Sequence, residues 1–429
     1  MTNLLNYVSQ PHASSYYAAT ANDRTLHVPL TGRTHADVCV IGGGFTGLCT
    51  ALELAQKGYS VVLVEASKIG WGASGRNGGQ LITGFSCDLD TFARYMPDEE
   101  VKQVFAMGLE SVDIVKGHIA RHSIDCDLTM GYVIAANKSR HLDGLRAWRD
   151  EAATRFDYHG YRFLEATEMT RHVESQRYPG GLYCTDSGHL HPLNYALGLA
   201  KAANSEGVRI YEDTAALSLR KNGTLHEIVC DKGRVEAKYV VLACNAYQAG
   251  LAPQLARKII PVATHIIATE PLARRVMPSN VAIADSSHRL DYFRMSADGR
   301  MLWGGGATGS KRTHPHVSGW LKWNMLKTFP QLKHVKIDYC WGGLIDATMN
   351  RAPHFGRLEP DVYFAQGFSG HGVNATALAG KLIAESINAQ STRFDVFEKV
   401  KHRDIPWGPA LHRPMLALAM AWGTLRDIL

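Results

Sequence analysis

The residues with the clearest chemistry are Gly42-Gly43-Gly44-Phe45-Thr46-Gly47, a Gly-x-Gly-x-x-Gly run. They follow the short apolar segment from Ala36 to Ile41 and precede Leu48, Ala51, Leu52 and Ala55 at helical spacing, with Gly58 where such a helix should stop. Strand, glycine turn and helix form the context in which this motif binds a dinucleotide. Gly42 permits the tight turn, Gly44 lets the backbone approach a pyrophosphate, and Gly47 allows helix and strand to pack closely, while the helix N-terminus faces the phosphate charge. Ser60 to Val64 reads as a second buried strand ending in Glu65, 18 residues beyond Gly47, where an acid accepts hydrogen bonds from ribose hydroxyls. An acid would repel a 2′-phosphate, so FAD or NAD is expected over NADP. The next segment, Gly70 to Gln80, holds five glycines in eleven residues. Such a loop is too flexible for regular structure and rich in backbone N–H groups, and it can wrap a large flat ligand.

The elements that must position these residues fall into an interleaved pattern. Helical spacing from Val101 to His122 leads to a strand at Gly131 to Ala136, and a helix from Asn194 leads to a strand ending at Tyr211. Lys238 to Ala246 reads as a strand returning to the first unit. Strand-like runs at Pro261–Ala268, Leu290–Met295 and Met301–Trp303 surround a helix near Gly319–Phe329. The last unit is a strand at Val362–Gln366, a glycine-rich turn and a helix from Ala375 to Ile387. The expected division is a surface leader over 1–35, a discontinuous nucleotide-binding domain over 36–95, 160–255 and 341–395, a substrate domain over 96–159 and 256–340, and a tail over 396–429.

Composition limits the function classes. With 429 residues, 45% of them apolar, the chain can bury a large core, and a net charge of +6 with no basic run argues against nucleic-acid binding. The apolar stretch from Pro414 to Trp422 is too short to span a bilayer, and the N-terminus lacks the features of a secretory signal, so a cytoplasmic location is expected. The eight cysteines show no Cys-x-x-Cys and are read as buried small apolar residues. His189 and His191 lack a third ligand nearby, and no metal is expected.

The fingerprint, Glu65, the loop Ser74-Gly75-Arg76-Asn77-Gly78-Gly79-Gln80 and the turn Gly367-Phe368-Ser369-Gly370-His371-Gly372-Val373 together resemble the D-amino-acid oxidase superfamily of FAD-dependent amine oxidoreductases. Within it the chain is most similar to bacterial γ-glutamylputrescine oxidases, on segments such as Gly188-His189-Leu190-His191-Pro192-Leu193 and Lys327-Thr328-Phe329-Pro330-Gln331. The resemblance implies an α/β fold, in which a glutathione-reductase-like, Rossmann-type FAD-binding domain interleaves with a mixed-sheet α+β substrate domain. It implies that Gly42, Gly44, Phe45, Thr46 and Gly47 hold the pyrophosphate, Glu65 the ribose, and Ala66 and Ser67 the adenine. Gly72, Ala73, Ser74, Arg76, Asn77, Gly78, Gly79 and Gln80 would contact the flavin side, and Ala243 and Cys244 the pyrophosphate side. Gly343, Gly370, His371, Gly372, Val373 and Asn374 would close over the ribityl chain and pyrimidine edge, with a helix N-terminus near Asn374 stabilising negative charge there.

Where sarcosine oxidases carry a flavin-attaching cysteine, this chain reads Leu344-Ile345-Asp346-Ala347-Thr348-Met349, so dissociable FAD is implied. Substrate contacts are expected from Tyr292, Arg294, Trp303, His371, Asn77 and Gln80, with Arg294 clamping a carboxylate. The implied reaction oxidises the amine of γ-glutamylputrescine or a related polyamine derivative to an imine, which water hydrolyses to aldehyde and ammonia, with O2 as acceptor giving H2O2. Two alternatives stand beside it. One is a dehydrogenase of a cyclic or N-substituted amino acid such as pipecolate, feeding a quinone or carrier and resting its apolar C-terminal stretch on a membrane. The other is a flavin-binding non-catalytic or tRNA-handling protein, against which the lack of a basic stripe argues.

Overall fold

Strands buried on both faces need apolar side chains throughout, and Val38 to Ile41, Val61 to Val64 and Val240 to Leu242 supply them, each residue at most 5% exposed. In the computed structural model, which describes residues 9–406 apart from 249, 288 and 309–315, these runs form the centre of a parallel sheet. Its order is His354–Glu359, Val362–Gln366, Gly233–Leu242, Gly32–Ile41, Val61–Val64 and Arg209–Tyr211. The first pair is antiparallel and the remaining neighbours are parallel. A hairpin of Ala216–Asn222 and Leu225–Cys230 attaches to the edge of Gly233–Leu242. Helices Phe45–Gln56, Asp98–Arg121, Pro192–Ser205 and Gly372–Ile387 contribute to one apolar core over this sheet. The helix crossing at Cys49 and Gly380 is close, because a Cβ on Gly380 would lie 2.7 Å from the Thr50 amide nitrogen.

A second, mixed sheet runs Ile337–Ala347, Ile260–Pro271, Arg300–Thr308, Tyr292–Met295, Ala282–Asp285, Thr129–Ala135, Gly180–His189 and Gln80–Leu81. Tyr161–Glu165 pairs with Gly180–His189. Helix Val317–Thr328 covers part of it over a separate core that contains Phe293, Trp303 and Phe329.

The observed strands differ in four places from the division read from sequence. Gln80–Leu81 pairs with Gly180–His189 in the second sheet, although 36–95 is expected in the nucleotide-binding domain. Tyr161–Glu165 and Gly180–His189 lie in the second sheet, although the chain was expected to be in the nucleotide-binding domain from 160. Residues 341–347 also pair there, as the continuation of Ile337–Ala347 against Ile260–Pro271. The alternation of Gly180–His189 is broken by Gly180, Gly181 and Gly188, which hides the strand; Cβ atoms at these positions would meet backbone oxygens of neighbouring strands at 2.8, 3.0 and 2.3 Å. The leader is not a surface strap throughout. Ser15 caps the short helix Tyr16–Ala19 by accepting from the Ala18 amide, and Tyr16 and Tyr17 are buried. Four residues are too few to show a period. The sequence pattern does not mark helix Leu142–Phe156, since only Leu145 and Ala152 on it are buried and charged residues are interspersed with the exposed Trp148 over the rest.

Candidate active site

The glycine turn of the fingerprint is dictated by lack of space. Gly42 has φ +116°, and a Cβ there would lie 2.5 Å from the Ala243 carbonyl oxygen. A Cβ on Gly47 would lie 1.9 Å from the Gly42 oxygen, which is the close helix-to-turn packing the third glycine allows. Helix Phe45–Gln56 begins directly after Gly44, leaving its first amides unpaired within the helix. One of them, the Phe45 N–H, donates to Ser74 Oγ at 2.9 Å, and Gly70 N donates to the Gly43 oxygen at 2.9 Å. The second glycine-rich loop is thereby pinned to the first.

Glu65 sits beside this turn. Its two carboxylate oxygens accept from the Gly43 amide at 2.7 Å and the Ser67 amide at 2.9 Å. A carboxylate has about four acceptor positions, so capacity remains for ribose hydroxyls. Desolvation in the cleft pushes its proton affinity above the usual carboxylate range, against the opposing pull of these amides.

These pieces open onto one cavity of about 1210 Å³. Its wall includes Gly42, Gly44, Phe45, Thr46, Glu65, Ala66, Gly72, Ala73, Ser74, Arg76, Asn77, Gly78, Gln80, Ala243, Cys244 and Gly343, together with Gly370, His371, Gly372 and Val373. Gly47, Ser67, Gly79 and Asn374 stand just behind that wall. Gly79, at φ +74°, would put a Cβ 2.1 Å from the Leu190 oxygen, and the Asn374 amide donates to the Gly84 oxygen and Ser111 Oγ. Ser67 Oγ accepts from the Gln10 amide. The C-terminal helix starts at Gly372, three residues earlier than read from sequence, and its first turn faces the cavity.

The wall away from the fingerprint carries Tyr292, Thr264, Asp285, Arg289 and Gly305. The Tyr292 ring lies where Cβ atoms of Gly78 and Gly304 would be, at 2.7 and 2.2 Å, so both glycines make room for it. Burial pushes its phenol further up, keeping it a donor. His371 is held down to about 4, first by burial and then by Arg351, so its imidazole is neutral near pH 7. Asn77 is spent on its own loop, donating to the Ala73 and Ser74 oxygens and accepting from the Gly79 amide. Gln80 donates to the Ile283 oxygen.

Two expected substrate contacts are not at the cavity. Arg294 is 3% exposed, and its guanidinium donates to the oxygens of Gly78, Leu190 and Met295 and to the Tyr17 hydroxyl. It braces the loop rather than facing a ligand. Trp303 is fully buried and stacks on Phe293 at 4.5 Å in the second core. In the alternation of Arg300–Thr308 and Tyr292–Met295, Tyr292 faces the cavity, while Phe293 and its cross-strand partner Trp303 point the other way.

Sequence reasoning missed Asp346 and the pair Asp285 and Asp291. Asp346, 1% exposed, lines the cavity and accepts from the Gly367 and Phe368 amides, holding the turn that leads into His371. Burial raises it to about 6. Asp291 rises to about 7, mainly through burial and then through the neighbouring Asp285. An unfolded aspartate titrates near about 3.9. A folded value above that means the folded state holds the proton more tightly, so this stability is full below about pH 4 and lost as pH rises through about 7. Asp291→Asn is therefore expected to lie close to wild type in melting temperature at pH 4 and to exceed it at pH 8, by about 1–3 kcal/mol of stability. Melting curves at the two pH values check this; a variant less stable at pH 8 would contradict it.

The FAD dependent oxidoreductase family matches residues 37–386. The chain is 42% identical to the γ-glutamylputrescine oxidoreductase of Escherichia coli K12 over 421 residues, which is 97% of this chain and 98% of the relative. It is also 42% identical to the probable oxidoreductase OrdL of Haemophilus influenzae over 93% of each chain. Among solved structures, glycine oxidase from Geobacillus kaustophilus superposes with a TM-score of 0.73 at 21% identity, covering 86% of this chain and 99% of that one. A cradle whose glycines cannot carry a Cβ, an acid with spare acceptor capacity and a glycine-rich second loop fit the cofactor of these relatives, and the chain belongs to the FAD-dependent oxidoreductase family.

Proposed function

We propose that the protein oxidises the primary amine of γ-glutamylputrescine, or of a closely related amide of a diamine, to an imine that water hydrolyses to aldehyde and ammonia. The acceptor proposed is O2, reduced to H2O2. The observation that carries this reading is the extent of the cavity, which continues past the cofactor cradle to Tyr292, Thr264 and Asp285 and leaves room for a long, thin substrate. Pockets for single small ligands are about 300–1,000 Å³, below the volume seen here. The 42% identity to an enzyme named for this substrate supports it further.

FAD bound in the cradle supplies the electron sink for removal of a hydride equivalent from the carbon bearing the amine. The protein's part is placement. Gly42, Gly44 and Glu65 would hold the dinucleotide, and the first turn of Gly372–Ile387 directs unpaired amides at the cavity, favouring negative charge there. Neutral His371 adds no cation to repel a diamine, and the buried carboxylates of Asp285 and Asp346 favour the ammonium end. Among the described residues no helix is long and apolar enough to cross a membrane, and Pro414 to Trp422 lies outside the described residues.

The test is bleaching of the flavin absorbance under nitrogen by γ-glutamylputrescine, putrescine, pipecolate and glycine, followed by peroxide assay in air. Rapid bleaching by the conjugate alone, with stoichiometric peroxide, is expected. Bleaching by pipecolate without peroxide would replace this reading with the dehydrogenase.

A further inference from the structure

An amide of the glutamyl side-chain carboxyl keeps a free amino-acid end, an α-carboxylate beside an α-ammonium. About nine bonds separate that carboxylate carbon from the carbon to be oxidised, the length of about three extended residues, or roughly 10 Å. With the reacting carbon at the flavin, the amino-acid end should therefore lie near the mouth of the cavity.

The exposed residues of the wall locate that mouth. Asp88, Asp90, Trp148, Glu151 and Arg351 are exposed and line the cavity. The opening thus lies between the segment after strand Gln80–Leu81, helix Leu142–Phe156 and the turn that precedes strand His354–Glu359. Most charges on the wall are already used. Glu151 pairs with Arg155 at 2.9 Å, and Asp90 faces the same guanidinium at 4.0 Å. Arg76 donates to the Trp71 and Gly342 oxygens, and Arg289, 4.6 Å from the Trp320 ring centre, has partners of its own.

Arg351 and Asp88 are the exceptions. Among the described residues Arg351 makes one side-chain hydrogen bond, to Ser86 Oγ at 3.0 Å, and no ion pair. A guanidinium carries five N–H donors in a planar fork, so most of them remain for a ligand. Its backbone stands in the left-handed region at φ +60°, in a turn closed by the Arg351 amide donating to the Thr348 oxygen and Thr348 Oγ1 donating to the Ala352 oxygen. Its head is held by Ser86, which lines the cavity and donates to the Ser369 oxygen, and its charge is felt at His371 on the same wall. The Asp88 carboxylate has no hydrogen bond or ion pair among the described residues. Both charges reach one neighbour on the wall: the Cys87 thiol is raised to about 12, chiefly by burial, with Asp88 adding to the rise and Arg351 opposing it. Opposite charges that share a neighbour yet do not pair with each other are the complement of a zwitterion.

We propose that Arg351 and Asp88 form a rim subsite for the amino-acid end of the substrate, Arg351 binding its α-carboxylate and Asp88 its α-ammonium, and so select the conjugate over the free diamine. The proposal rests on the reading that a γ-glutamyl amine is the substrate.

The test uses three amines that differ by one charge at each step. N-acetylputrescine keeps the amide and the diamine arm but has no carboxylate, N-glutarylputrescine adds the carboxylate, and γ-glutamylputrescine adds the α-ammonium. Arg351→Met should lower kcat/KM of both carboxylate-bearing amines relative to N-acetylputrescine by about tenfold, through KM, the size expected for a bidentate pair at a partly solvated rim. Asp88→Asn should lower γ-glutamylputrescine relative to N-glutarylputrescine by about threefold. Salt supplies a readout that a merely structural residue would not move: about 0.5 M NaCl should shrink the wild-type preference for N-glutarylputrescine over N-acetylputrescine and leave that ratio unmoved in Arg351→Met. A measurement without turnover uses γ-glutamylethylamide, which carries the amino-acid end and no oxidisable amine; its Kd for the holoenzyme, by calorimetry, should rise about tenfold in Arg351→Met. Arg351→Lys keeps the charge without the planar fork; it should lose about threefold on the same measures and keep the salt response, and it serves if the Met variant holds less flavin. Equal losses on all three amines, or an unchanged Kd for γ-glutamylethylamide, would overturn the subsite while leaving the substrate in place. Failure of the wild type to oxidise γ-glutamylputrescine at all would overturn the substrate, and the subsite with it.

Discussion

Gly42→Val protein is expected to emerge from purification folded and colourless. Three costs coincide at this position. A β-branched residue is strained at φ +116°, its Cβ would lie 2.5 Å from the Ala243 oxygen, and the only relief is to move the turn outward into the cofactor's place. Ala243 cannot retreat cheaply, because its amide is bonded to the Ile41 oxygen and its strand is paired along nine positions with Gly32–Ile41. Gly44→Val should be milder, since the atom its Cβ would approach, at 2.9 Å, is the Ser74 hydroxyl, which can rotate. The Kd for FAD, titrated onto the apoprotein, should rise at least about 30-fold in Gly42→Val if the penalty is about 2 kcal/mol or more. Added FAD should raise the melting temperature of wild-type apoprotein and not that of the variant. Heating wild type should also leave all flavin in the supernatant, because the segment Leu344 to Met349, which stands where sarcosine oxidases carry the attaching cysteine, contains no cysteine. A yellow Gly42→Val protein would remove the physical basis of the site.

Legibility from sequence followed the density of local constraint. The fingerprint is decided within some thirty residues by buried strands, a turn that admits only glycine and a helix, so it could be read directly. The Gly367 to Val373 turn was recognisable for a similar reason. What escaped depends on contacts between distant segments. The acceptor bonds that make Asp346 a brace for residues 367 and 368 cross two sheets, and Asp285 and Asp291 perturb one another only because a short hairpin buries both. Strand Gly180–His189 lacked alternation because glycines were required by neighbouring backbone, and Tyr17 gave no sign that it would meet Arg294, 277 residues away. The register of the Tyr292 hairpin was the costliest gap. A two-residue period puts Tyr292 and Arg294 on the same side of a strand, yet Tyr292 reaches the cavity, while Arg294, farther along, turns under the Gly78 loop.

That position changes what a substitution at Arg294 should do. The guanidinium joins three segments: Tyr17 of the N-terminal helix, Gly78 of the cofactor loop, and Leu190, which leads into helix Pro192–Ser205. Arg294→Met keeps much of the side-chain volume and removes every donor. The buried oxygens of Gly78, Leu190 and Met295 then lose a partner with no water to replace it, and leaving such groups unsatisfied costs about 1–3 kcal/mol each before relaxation. A total of roughly 3–5 kcal/mol is expected, which places this among the most damaging single changes in a folded chain. Because Gly78 lines the cavity, part of that cost should appear as weaker FAD binding. The signature is uniformity: melting temperature and flavin content fall together, and the remaining holoenzyme oxidises γ-glutamylputrescine and N-acetylputrescine with the same relative preference as wild type. A residue that gripped the substrate would behave oppositely, sparing stability and losing the carboxylate-bearing amine alone. Melting curves, flavin content and the ratio of kcat/KM for the two amines, measured on one preparation, separate these outcomes. A selective loss at unchanged melting temperature would return Arg294 to the substrate and require the Gly78 loop to open in solution.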